Sequence, residues 1–221
     1  MYLFFALSIS WAFSPAYEQL LERYVDAYGC VDYKSWKKDP HYPQFVQELR
    51  KHTPQDNIAY WINIYNAYTI HIVVEHYPIT SIREIQNGAV WSNYELSLPF
   101  QNRTLDNIEH KKLRPLGDAR IHAALSCASR GCPPLWNKIY SPHTIHEELD
   151  KAMFRWLDFN ALHKTKGEYQ LSQIFSWYQE DFYPSPQDYV QKWRKDIALP
   201  KKPSFFTYDW RLNDCTTSPS P

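Results

Sequence analysis

"PQDNIAYWINIYNAYTIHIVVEHYP", residues 54–78, is apolar on almost every side of a helical wheel. The pattern predicts a helix from about Asp56 to His76, ending before Pro78, which cannot continue it. A helix that is apolar all round belongs in the interior of a fold. Its amides, Asn63 and Asn66, stand three apart on one face, with Ile70 one turn further on. A buried amide left without a partner costs about 1–3 kcal/mol, so both need one. The partners are either the backbone of neighbouring loops or a catalytic group that an amide orients.

Outward from this helix, "YEQLLERYVDAYG" (Tyr17 to Gly29) and "PQFVQELRKH" (Pro43 to His52) have helical spacing. "YELSLPF" (Tyr94 to Phe100) alternates as a strand does. "TLDNIEHKKLRPL" reads as a helix capped by Thr104 or Asp106, and "RIHAALSCA" as a strand or a buried helical segment. "PHTIHEELDKAMFRWLDF" is an amphipathic helix, and "HKTKGEYQLS" a hairpin around Lys166-Gly167. Two more helices, "SQIFSWYQEDF" and "PQDYVQKWRKDI", and a closing strand, "SFFTYDWRL", complete the chain. The order implies an α+β fold: a helical layer with a buried central helix on a small, mostly antiparallel sheet. A papain- or transglutaminase-like arrangement is one form this class takes.

The 221 residues suffice for one domain with its own core, expected over 17–215 with a disordered tail at 216–221. Lys plus Arg equals Asp plus Glu, and no basic run occurs, so nucleic acid is not an expected partner. Only five glycines are present, with neither phosphate-loop pattern, and no cofactor is expected. "MYLFFALSISWAF" is too short to span a bilayer, which takes about 20 residues, but suits a secretory signal. "SPA" offers small residues for cleavage after Ala16, although no Lys or Arg precedes the apolar run. Residues 1–16 are therefore expected to be a signal peptide and the protein exported, periplasmic or extracellular. In an oxidising compartment Cys30, Cys127, Cys132 and Cys215 allow three full pairings, and sequence does not choose among them.

Three polar sets interrupt apolar context: Asn63/Asn66, Glu109/His110/Arg114 and His122/Cys127/Cys132. These are the residue types of a thiol hydrolase. A thiol with a free pKa of about 8.5 needs a His or a helix N-terminus to react near neutrality. Five residues separate His122 from Cys127, which is poor geometry on a strand or a helix unless the chain bends. His110 is free of that limit and is the preferred base, with Asn66 its orienter. Arg114, four residues after His110, shares its face and suits a carboxylate or phosphate, or an ordinary ion pair. Cys127 has bland readings too: a small buried residue, or half of a bridge to Cys132. A zinc site of His110, His122, Cys127 and Cys132 fits no standard spacing, so no metal is expected.

Taken together, "YWINIYNAYTIHIV", "LDNIEHKKLR" and "IHAALSCASRGCPPL" resemble the domain-of-unknown-function family 547, found in bacterial exported proteins and in plant proteins with a coiled coil. "GCVDYKSW" and "YDWRLND" resemble its edges, so the likeness runs from about Gly29 to Asn213. The family's characteristic positions match Asn63, Asn66, Glu109, His110, Arg114, His122, Cys127 and Pro133. The resemblance implies that Cys127 is the functional thiol and Cys132 an accessory, and it fixes no reaction.

The expected function is a thiol-dependent hydrolase or acyl transferase acting on amide or peptide bonds, including a cell-wall-like substrate. Cys127, His110, Asn66 and Glu109 would be catalytic, and Arg114, His122 and Asn63 would bind substrate. The alternatives are a non-catalytic peptide- or glycan-binding domain and a thiol–disulfide protein using Cys127 and Cys132, although CxxxxC departs from the usual CxxC.

Overall fold

Side-chain caps open three of the first four helices. A computed structural model describes residues 13–98 and 104–217. Ser14 accepts from Tyr17 N–H at the start of α1 (Pro15–Tyr24), and Asp32 accepts from Ser35 N–H at α2 (Tyr33–Lys38). The next helix, α3 (Tyr42–Lys51), has a Pro in its first turn, where no N–H is needed. Asn57 caps α4 (Ile58–His76), the helix read from the opening stretch, and every residue from Ala59 to Val74 is buried. α2 and α3 pack on α4, and α1 packs on α3.

Three short helices follow, α5 (Val90–Asn93), α6 (Leu105–Ile108) and α7 (Ile121–Ala124), and then the longer α8 (Ile145–Phe159). The hairpin of β1 (Leu162–Thr165) and β2 (Glu168–Leu171) is antiparallel, with Lys166 at φ 52° and Gly167 at φ 89° in its two-residue turn. That left-handed pair matches the twist of the strands. Last come α9 (Gln173–Trp177) and α10 (Pro186–Trp193). The architecture is the expected α+β one, mostly helical with a small antiparallel sheet.

Two expected strands are not strands. Tyr94–Leu98 joins no ladder, and Pro99 and Phe100 lie outside the described residues. "SFFTYDWRL" runs as an extended strap held by isolated bridges, Phe205 to Leu171 and Leu212 to Ser129. It spends its backbone groups on a loop: Arg130 N–H donates to Arg211 C=O and Gly131 N–H to Asp209 C=O, both at 2.9 Å. Alternation here records one buried side, not a sheet.

Most of the expected signal segment, residues 1–12, lies outside the described residues. Ser14, the cap of α1, and Ala16, in its first turn, are buried, and Ser14 also donates to Glu48 at 2.6 Å. At the other end, Cys215–Thr217 form a 3-10 turn in which Thr216 N–H donates to Asp214 at 2.9 Å, inside the expected tail. Cys30 and Cys215 are bonded, tying the two ends together. No helix among the described residues is long and apolar enough to cross a membrane.

Candidate functional site

The two amides of α4 act as clips. Asn63 donates to Tyr140 C=O at 2.8 Å and accepts from Tyr140 N–H at 2.9 Å. Asn66 donates to Ala124 C=O and accepts from Ser126 N–H, both at 2.9 Å. Each amide thus substitutes for a strand's backbone, satisfying one donor and one acceptor that would otherwise be orphaned. Neither touches His110. Asn66 braces the segment that carries Cys127.

That segment bends. α7 ends at Ala124, Leu125 turns to extended backbone (ψ 129°), and Ala128 adopts a left-handed φ of 61°. Such a φ is strained for a residue with a side chain, by roughly 1–2 kcal/mol, and strain of this kind concentrates at functional sites. The bend brings His122 and Cys127 to the walls of one cleft of about 300 Å³. It removes the spacing objection to His122.

Cys127 is bonded to Cys132, and all four cysteines of the chain are paired. Cys127 is half-buried and Cys132 buried. The Tyr208 hydroxyl lies 3.1 Å from Cys127 Sγ, 3.2 Å from Cys132 Sγ and 2.8 Å from Ser129 Oγ. The strap delivers this tyrosine, and its ring leaves no room for a side chain at Gly131, where a Cβ would approach it to 2.9 Å. Burial and, less strongly, nearby Glu109 raise the Tyr208 phenol, whereas the Ser129 hydrogen bond lowers it. The net is a rise, so the hydroxyl stays protonated.

His122 is 3% exposed, and its Nε2 is 2.7 Å from Asp181. Arg114 grips the same carboxylate with two hydrogen bonds, Nε at 2.7 Å and Nη2 at 2.9 Å. Burial alone would raise the Asp181 carboxyl. The hydrogen bonds from His122 and Arg114 outweigh it and hold the group well below the usual carboxylate range. An ionised carboxylate only accepts, so the proton of neutral His122 sits on Nε2 and Nδ1 keeps its lone pair. Tyr178 packs on the imidazole with ring centroids 4.3 Å apart, and Arg114 lies over the other part of that stack, 5.2 Å from the Tyr178 centroid.

The expected helix "TLDNIEHKKLRPL" is three short pieces. After α6 the chain opens into a π turn, Glu109–Leu113, in which Arg114 N–H donates to Glu109 C=O five residues back, and then tightens into 3-10. π turns are often found at functional sites. Glu109, 6% exposed, lines the cleft beside Asp106, whereas His110 points elsewhere, its Nδ1 3.1 Å from Arg114 Nη1. Glu109 lies near the phenols of Tyr65 and Tyr178. Burial first, and then its charge, raise both phenols.

The cleft thus unites Glu109, His122, Cys127, Cys132 and Pro133 of the residues singled out in the sequence. Asn63, Asn66, His110 and Arg114 stand behind it. Sequence reading missed Asp181, Tyr178 and Tyr208. Asp181 sits in the aromatic stretch "SWYQEDFY", where only an acid among rings hints at a buried partner.

The family model described as "Protein of unknown function, DUF547" matches residues 49–157, which supports the family suggested by the motifs. The matched segment holds both amide clips, Glu109, His110, Arg114, His122 and the Cys127–Cys132 pair, and excludes Asp181 and Tyr208. No curated protein and no solved structure matches the chain significantly.

Proposed function

We propose that the cleft is the active site of a thiol-dependent hydrolase or acyl transferase for amide or peptide bonds, latent while Cys127 and Cys132 are bonded. The observation that carries this reading is His122, on the wall of the cleft that holds Cys127, with Nε2 committed to Asp181 and Nδ1 free of any hydrogen bond among the described residues. A dithiol reductant would first take up the disulfide's oxidising equivalents, leaving two thiols. Cys127 then gives its proton to His122 Nδ1, and the thiolate attacks the carbonyl carbon. The C–N bond breaks, the amine leaves with the proton from His122, and water or an acceptor amine opens the thioester. His122 replaces His110 as the base in this scheme, and Asp181 replaces Asn66 as its orienter. The paired cysteines support an exported protein of an oxidising compartment, in keeping with the signal-like start of the sequence.

The test is acylation. Reduced protein is treated with p-nitrophenyl acetate and its peptides are mapped by mass spectrometry. An acyl group on Cys127 that is absent in His122→Ala is expected. Acylation spread over other residues, or equal labelling in the variant, contradicts the scheme.

A second reading is favoured by one observation. Trp177, Tyr208 and Trp210 form a ring cluster on the cleft wall, with centroids 4.6–5.7 Å apart, and Trp177 is 49% exposed. Such a platform suits a non-catalytic peptide- or glycan-binding domain. A protein of this kind would bind its ligand equally well with Cys127 and Cys132 both changed to Ser.

A further inference from the structure

The cleft carries charge of one sign. Glu109 and Asp106 both line it, and no Lys or Arg does so among the described residues. Glu109 is buried and forms no ion pair with a Lys or Arg there. Burial raises the Asp106 carboxyl, an effect opposed by neighbouring His110 and reinforced by Glu109. Taking a carboxylate out of water without a counter-charge is costly. The phenols of Tyr65 and Tyr178 relieve part of that cost and add no positive charge.

Much of the remaining wall is aromatic. Tyr65, Tyr178 and Trp91 line the cleft with the two acids. Ring faces attract cations, and cages of rings with nearby carboxylates are how proteins recognise ammonium groups. Acids and rings around one volume therefore ask for the same ligand.

We propose that the cleft seats an ammonium group of its ligand between the carboxylates of Glu109 and Asp106 and the rings of Tyr65 and Trp91, the Tyr178 ring being already engaged by Arg114 and His122. The substrate class is then a peptide or amine with a positive charge close to the bond that Cys127 would attack. This deepens the proposed function and rests on its reading of the cleft as the substrate site.

Choline and its neutral isostere 3,3-dimethyl-1-butanol are the probes, titrated into the oxidised full chain and followed by saturation-transfer NMR. Choline should bind tighter by on the order of tenfold, the scale of a partly desolvated cation–ring contact. Glu109→Gln should remove that preference while leaving the neutral isostere unaffected. Asp106→Asn, at a half-buried position, should reduce it as well and serves if the Glu109 variant does not fold. Equal affinity for the two probes, no binding of either, or a preference that survives both variants overturns the inference. The oxidised protein has no thiolate, so this result is independent of acylation: lost choline selectivity with intact Cys127 acylation removes only the cation site, and the converse removes only the catalytic reading.

Discussion

The two disulfides of this molecule differ in nearly everything but their chemistry. Cys30–Cys215 spans 185 residues and ties the first loop to the end of the chain, whereas Cys127–Cys132 spans five and sits in the cleft. In the chain-entropy account the long loop is worth about 5 kcal/mol and the short one about 2 kcal/mol. A six-residue loop already pinned by Asn66 and by the strap gains little from a covalent staple. The short bridge is therefore poorly explained as a stabiliser and better explained by the groups around it. The difference teaches that a bridge's place, more than its presence, separates structure from chemistry.

The largest expected effect tests that contrast directly. Changing Cys30 and Cys215 together to Ala should lower the unfolding free energy by about 5 kcal/mol, read from urea denaturation. The same change at Cys127 and Cys132 should cost about 2 kcal/mol. Equal losses would break the comparison.

Next in size is the clip beneath the short bridge. Asn66→Ala strands a buried N–H at Ser126 and a buried C=O at Ala124, and should cost about 3 kcal/mol in the same assay. Hydrogen exchange would sharpen the point: protection should fall at Ser126 and Cys127 rather than at Cys30. A loss confined to α4 would contradict the bracing role.

Gly131→Ala probes the strap. The added methyl must displace the Tyr208 ring, at about 1–3 kcal/mol for overpacking. Reduction of Cys127–Cys132 by dithiothreitol should quicken as the hydroxyl leaves the sulfurs, with Cys30–Cys215 unaffected. Unchanged reduction of both would separate Tyr208 from the cleft chemistry.

The smallest effect is acid dependence. Asp181 is held below its unfolded value, so its contribution is fully present above about pH 4 and is lost as the pH falls towards its lowered folded value. Asp181→Asn should flatten the stability profile below about pH 4 and leave the Cys30–Cys215 region unchanged in hydrogen exchange.

The sequence disclosed what periodicity records. The α4 stretch, the α8 stripe and the Lys166-Gly167 turn each carry a local pattern, and each formed as expected. The amides of α4 were legible as buried groups in need of partners, but those partners, Tyr140, Ala124 and Ser126, are fixed only by packing. Tyr94–Leu98 and the strap alternate as strands do, yet no neighbour supplies a ladder. The spacing of His122 and Cys127 suits neither helix nor strand, and the bend that reconciles them, after Ala124, has no local signal in the sequence. Asp181 comes from 59 residues further along and carries no spacing signal. Glu109 and His110 are adjacent in the π turn, which sets Glu109 on the cleft side and His110 against Arg114.

The most direct measurement is the pH dependence of iodoacetamide labelling at Cys127 after mild reduction, in the wild type and in His122→Ala, by peptide mass spectrometry. Half-maximal labelling well below the free-thiol value of about 8.5 in the wild type, returning to about 8.5 in the variant, is the predicted result. Superimposable profiles near the free-thiol value would contradict an activated Cys127 and leave the cleft as a binding site.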